Sequence, residues 1–178
     1  MMAAPDPWPT LSTPRLTLRP LRPSDATALS RLVDDPGVAA MTTSIPHPFP
    51  TGAAEAFIER MAQAEADREG VFALETSSDG FIGVVGFHPD DQGAVEIGYW
   101  LGRPFWGQGY MTEAVDAALV WAGEGWGRRY LLAGHFADNP ASGQVLVKTG
   151  FLYTGDVVPR FSMGRGEEAP TRMMVWLA

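Results

Sequence analysis

The sequence predicts a mixed α/β fold built on one central, mostly antiparallel sheet flanked by helices. Three observations carry the prediction. Strand-length apolar segments recur along the chain, three of them run in succession across short turns between residues 71 and 101, and segments of helical period stand before and after that meander. At 178 residues the chain has the length of one domain with a sizeable core.

The elements follow in order. Residues 1–12 are proline-rich and read as a flexible segment, leaving 13–178 as a single domain. Arg15-Leu16-Thr17-Leu18-Arg19 alternates and reads as a strand. Ser24 suits the cap of a helix through Leu29, Leu32 and Val33, which Asp35-Pro36-Gly37 ends. Alternate prolines at 46, 48 and 50 exclude a helix there, because each fixes φ and removes a donor. The stiff loop that results carries His47 and Phe49. Ala54, Phe57, Ile58, Met61 and Ala62 share one face of a second helix. The meander spans Val71–Thr76, Phe81–His88 and Ala94–Leu101. A glycine-containing loop then leads into a helix with Met111, Val115, Ala118, Leu119 and Ala122 as its apolar stripe. Tyr130–Phe136 is a strand, Asn139-Pro140 opens a helix ending near Gly150, and Leu152–Phe161 with Thr171–Leu177 forms a final hairpin.

Composition removes several function classes. The net charge of −8 and a single lysine, Lys148, argue against nucleic acid or an anionic membrane as partner and suit a cationic acceptor. The absence of cysteine excludes a thiol nucleophile, a thiolate metal site and disulfides. No metal-ligand spacing is apparent, so no metal is expected. No apolar run approaches the ~20 residues of a membrane span, and the first ten residues lack a signal-peptide pattern, so a cytoplasmic location is expected.

The chemistry centres on Trp106-Gly107-Gln108-Gly109-Tyr110-Met111-Thr112. A strand running through glycines into a helix offers unpaired N–H groups and a partial positive charge, which suit a pyrophosphate. No Gly-Lys-Ser/Thr follows and the third glycine of a dinucleotide fingerprint is missing, so ATP and NAD are disfavoured. From Gly-x-Gly alone, a tight turn with no ligand remains open.

In its wider context the segment from Gly98-Tyr99-Trp100-Leu101 to Thr112-Glu113-Ala114 resembles the acyl-CoA motif of the GNAT N-acetyltransferases. It is most similar to the branch containing the ribosomal-protein N-terminal acetyltransferases. Thr13-Pro14-Arg15-Leu16-Thr17-Leu18-Arg19 resembles that branch's opening strand, and Asn139-Pro140-Ala141-Ser142 with Gly150-Phe151 its last helix.

The resemblance implies acetyl-CoA as cosubstrate and direct acetyl transfer to a primary amine, on a small molecule or a protein N-terminus. It implies a V-shaped splay between the strands ending near Leu101 and Phe136. Main-chain groups of Tyr99, Trp100 and Leu101 would meet the thioester, 106–112 the pyrophosphate, and Asn139 the pantetheine arm. Ser142 would protonate the leaving thiolate. Met111, where the family has Gly or Ala, implies a narrower site. Glu96 is a candidate base, with His135 and His88 as alternatives. His47, Phe49 and His135 are candidate acceptor contacts. Asn139 as a helix cap, Ser142 as a first-turn hydroxyl and Glu96 as a solvent-facing carboxylate are the competing structural readings. A non-catalytic acyl-CoA sensor on the same fold is the competing function. The terminal hairpin is a candidate homodimer surface.

Overall fold

The computed structural model describes residues 8–178. The part of the expected flexible segment at 1–7 lies outside the described residues. From Trp8 onward that expectation is overturned. Trp8 is buried with its ring 4.6 Å from Trp121 and 4.9 Å from Phe72. Strand β1 (Leu11–Ser12) then pairs with β2 (Thr17–Pro20).

Eight strands form one sheet in the order β1-β2-β3-β4-β5-β6-β8-β7. The meander is β3 (Gly70–Thr76), β4 (Gly80–Pro89) and β5 (Val95–Leu101), β6 is Tyr130–Phe136, and the hairpin is β7 (Leu152–Ser162) and β8 (Glu167–Leu177). Every neighbouring pair is antiparallel except β5 with β6.

The sheet separates two apolar layers, and strand alternation assigns residues to them, except that a bulge in β4 opposite Leu74 and Glu75 puts Phe81 and Ile82 out of phase with Val84 and Val85. Phe72, Leu74, Ile82, Val85 and Phe87 turn to α4 (Tyr110–Glu124) and α5 (Pro140–Lys148). Ala73, Phe81 and Val84 turn to α1 (Ala26–Val33) and α3 (Ala53–Ala62). All five residues of the expected stripe on α4 are buried.

Ser24 does not cap α1. It lies in a 3-10 turn, Pro23–Asp25, locked by ion pairing. Arg19, 4% exposed, makes two bonds to Asp25 at 2.8 and 2.9 Å and reaches Glu75 at 2.7 Å. Burial alone would raise the Asp25 carboxyl, but Arg19 and the Arg22 N–H outweigh it and hold the carboxyl below its ordinary range. Asp35-Pro36-Gly37 lies beyond the end of α1 and also begins a one-turn helix, α2 (Pro36–Ala39). There Asp35 accepts from the Gly37 N–H at 2.7 Å.

Candidate functional site

The site begins where β5 and β6 part. These parallel strands are registered at Glu96↔Leu132 and no further toward their C-terminal ends. The Gly102 N–H bonds to the Ile82 carbonyl on β4 at 2.9 Å. Backbone direction alternates along a strand, so the N–H groups of Gly98 and Trp100 also turn to β4. Those of Tyr99 and Leu101 therefore turn to the opened edge. The result is a wedge-shaped slot with two main-chain donors along one wall, as the V-shaped splay required.

At the mouth of the slot the chain turns through Gly107 and Gly109, with φ of +71° and +80°, values L side chains rarely adopt. Gly109 precedes α4 and no side chain caps that terminus, so its first N–H groups keep their partial positive charge. The loop is fastened from both sides. The Trp106 indole donates to the Leu101 carbonyl at 2.8 Å. Arg15 donates to the Gln108 carbonyl at 2.8 Å and to Glu113 at 2.7 Å, and lies 4.6 Å over the Tyr110 ring. Carbonyls drawn aside in this way leave the donors facing outward.

Met111 does not narrow this site. Its side chain is buried in the α4 core, so the helical stripe governs the position and only the backbone meets the loop. The neighbouring Thr112 is half-buried. Arg103 is committed elsewhere, to Asp35 at 2.6 and 2.7 Å. The Arg103 bonds hold the Asp35 carboxyl down to about 2.

The opposite wall of the slot is the start of α5. Asn139 caps it, accepting from the Ser142 N–H at 3.3 Å. The Tyr99 hydroxyl lies 2.9 Å from the Ser142 carbonyl and 3.1 Å from Ser142 Oγ. A carbonyl can only accept, so the phenol proton goes to it, and in the second contact Ser142 Oγ is the donor, to the phenol oxygen. Burial pushes the Tyr99 phenol up, which keeps it neutral.

His135 is among the residues that line a cavity joined to the slot. It lies under α5, where its Nε2 would be 2.7 Å from a Cβ placed on Gly143. Its Nδ1 is 2.8 Å from the Phe136 carbonyl and must donate there, so the neutral ring accepts from Tyr153 through Nε2 at 3.0 Å.

The slot opens into this cavity of about 700 Å³, walled by Val33, Phe49, Phe57, Trp100 and Phe136, with Tyr99 and Ser142 at the junction. Phe49 is where the sequence placed it. His47 does not line this cavity; it faces Asp34 at 3.3 Å. Glu96 lies in the cavity, 5% exposed, yet it is not a solvent-facing carboxylate. Arg160 on β7 donates to both its oxygens, at 2.5 and 2.8 Å. The Glu96 bond raises the Arg160 guanidinium pKa further. A carboxylate with both oxygens engaged this way is a poor proton acceptor, which counts against Glu96 as base. His88 stands opposite Glu96 in the register and lines the same cavity, with no hydrogen-bond partner among the described residues. Arg160 and Arg15 were missed from the sequence. Each acts across more than sixty positions, where local pattern carries no signal.

Residues 15–152 match the family described as acetyltransferase (GNAT) domain. The chain belongs to the GNAT acetyltransferase family. Among GNAT relatives, the uncharacterized N-acetyltransferase p20 of Bacillus licheniformis is 37% identical over 115 residues, 62% of this chain and 64% of that protein. The ribosomal-protein-serine acetyltransferase of Escherichia coli is 36% identical over 80 residues, 43% of this chain and 44% of that one. The aligned stretches span less than two thirds of these curated relatives' own length. A ribosomal L7/L12 alpha-N-protein acetyltransferase solved in complex with coenzyme A shares the fold, with a TM-score of 0.82 at 19% identity over 95% of this chain and 98% of that one. Among the described residues no helix is long and apolar enough to cross a membrane, and no group of three or more His, Asp or Glu could hold a metal.

Proposed function

We propose that this GNAT chain transfers an acetyl group from acetyl-CoA directly to a primary amine. The observation that carries the reading is the opened edge of β5, with its two inward N–H groups, between an uncapped helix terminus and Ser142. Acetyl-CoA fits this set on chemical grounds. Main-chain donors at 107–112 suit a pyrophosphate, and a slot between parted strands suits an extended pantetheine arm. When bound, it supplies an activated acyl carbonyl and a thiolate leaving group.

The chain's own residues do the rest. One of the two N–H groups, of Tyr99 or Leu101, stabilises negative charge developing on the carbonyl oxygen, a contribution of about 10²–10³ in rate, and the other, about 7 Å along the strand, is left for the pantetheine arm. Ser142 Oγ, the donor in its contact with the Tyr99 oxygen, turns its proton to the departing sulfur. The amine attacks from the cavity that Trp100 and Phe49 wall. Its proton passes to His88, directly or through water, because Glu96 is engaged by Arg160. No cysteine or nucleophile elbow supports a covalent acyl-enzyme.

The similarity to ribosomal-protein acetyltransferases makes a protein N-terminus one acceptor class, and free amino acids and polyamines are others. The test is thiol release from acetyl-CoA with a panel of an Ala-initiated tetrapeptide, amino acids and spermidine, with the acetylated product identified by mass. Amine-dependent release with one acetylated product supports the reading. Acetyl-CoA binding without product from any amine would leave a non-catalytic acyl-CoA protein.

A further inference from the structure

We propose that Arg165, in the β7–β8 turn, is a positioning residue that sets the gap between the acceptor wall and the Ser142 helix. The proposal rests on the acetyltransferase reading above.

One guanidinium joins segments that the chain otherwise keeps far apart. Its Nε donates to the Ala40 carbonyl at 2.6 Å. Its Nη1 and Nη2 donate to the two Asp138 oxygens at 2.7 and 2.8 Å, a bidentate fork, and Nη2 lies 3.7 Å from Met41 Sδ. The guanidinium lies 4.5 Å from the centroid of the Phe136 ring. Two neighbours secure the same contact. Ser162 Oγ donates to the Thr42 carbonyl at 2.7 Å, and the Met163 N–H to the Thr43 carbonyl at 2.9 Å. Gly164 packs so closely that a Cβ there would stand 2.5 Å from the Ala39 backbone.

The segments so joined are functional ones. Met41, Thr42 and Thr43 wall the acceptor cavity, as does Phe136. Asp138 precedes Asn139, the cap of the helix that carries Ser142. Arg165 therefore fixes the wall that would hold the amine relative to the helix that would hold the proton donor. The Arg165 side chain is only 14% exposed, so its stem and its Ala40 bond are covered, while Asp138, 62% exposed, meets it from the solvent side. A lysine lacks the planar fork and can serve Asp138 or Ala40, not both.

The experiment compares the full chain with Arg165→Gln, Arg165→Lys, Asp138→Ala and the Asp138→Ala/Arg165→Gln pair. It measures kcat and KM for the best amine of the panel, calorimetric affinity for CoA, and hydrogen exchange. Arg165→Gln is expected to lower kcat/KM for the amine on the order of 10- to 100-fold, the scale of a small misplacement of reacting groups. CoA affinity should stay within about twofold, since Arg165 touches nothing at 106–112, and this separates a positioning role from loss of folding. Lysine should restore part of the loss, and the double variant should be no worse than Arg165→Gln, as for residues acting through one contact. Exchange should quicken at both 41–44 and 139–142. Unchanged amine kinetics, or quickening confined to 162–166, would overturn the proposal. A wild-type chain that turns over no amine would instead remove the acetyltransferase reading, and the exchange pattern alone would then decide whether Arg165 couples the two walls.

Discussion

Replacing Arg160 with methionine probes the ionic floor of the cavity. The substitution keeps the apolar stem and removes the guanidinium, which leaves the Glu96 carboxylate at 5% exposure without its partner. Breaking a fully buried pair from one side costs about 3–5 kcal/mol, because a desolvated charge is stranded. Solvent reaches this pair from the arginine side, whose side chain is 29% exposed, so about 2–3 kcal/mol is expected, below the range for a fully buried pair. With a urea slope of roughly 2 kcal/mol/M, the denaturation midpoint should fall by about 1–1.5 M. The companion variant Glu96→Gln/Arg160→Met removes both charges and should recover more than half of the loss. The assay is urea denaturation of the wild type and the two variants at neutral pH. A single variant within about 0.5 kcal/mol of wild type, or a double variant as unstable as the single, would refute the view that Glu96 is held charged by Arg160. It would return Glu96 to candidacy as the base.

Further predictions concern the slot and its supports. Ser142→Ala should lower kcat about 10²–10⁴-fold with CoA affinity nearly unchanged, and wild-type turnover would remove Ser142 from the mechanism. His88→Gln should lower kcat/KM for the amine by about 10²-fold or more, and wild-type kinetics would leave water alone as proton acceptor. Met111→Ala should cost about 2–5 kcal/mol in stability through a core cavity, with little change in CoA affinity; a clear gain in affinity would revive the narrow-slot reading. Asp35 has a folded-state pKa depressed from 3.8 to about 2, so its bond to Arg103 stabilises the protein above pH 4 and is lost as pH falls toward 2. Arg103→Gln should therefore flatten the thermal midpoint's acid dependence in that window, and an undiminished slope would contradict it.

The fold was legible because its elements announce themselves locally. The period-2 meander, the α4 stripe and the Asn139-Pro140 start all stand within a residue or two of where sequence pattern put them. Trp8 was missed because one aromatic among prolines has no period, and its burial depends on Phe72, Trp121 and Trp126 arriving from elsewhere. At Met111 two local signals disagreed. The family motif wanted a small residue, the helical stripe wanted an apolar one, and packing followed the stripe.

In the site, the glycine turn and the Ser142 helix were readable because backbone conformation demands those residue types. The fates of Glu96 and His135 were not. Whether a strand carboxylate is free or paired depends on a guanidinium sixty-four positions away, and the His135 ring's partner, Tyr153, stands eighteen positions on.

The central claim is that the opened β5 edge and the 106–112 loop form a CoA site. The most direct measurement is thermal stability with saturating acetyl-CoA beside CoA, ATP and NAD. Ligand at 100 times its Kd adds about 2.7 kcal/mol, which for a chain of this length raises the thermal midpoint by roughly 5–10 °C. A rise of that size with acetyl-CoA and CoA but not with ATP or NAD is the predicted result. No rise at millimolar acetyl-CoA, or an equal rise with all four, would contradict it.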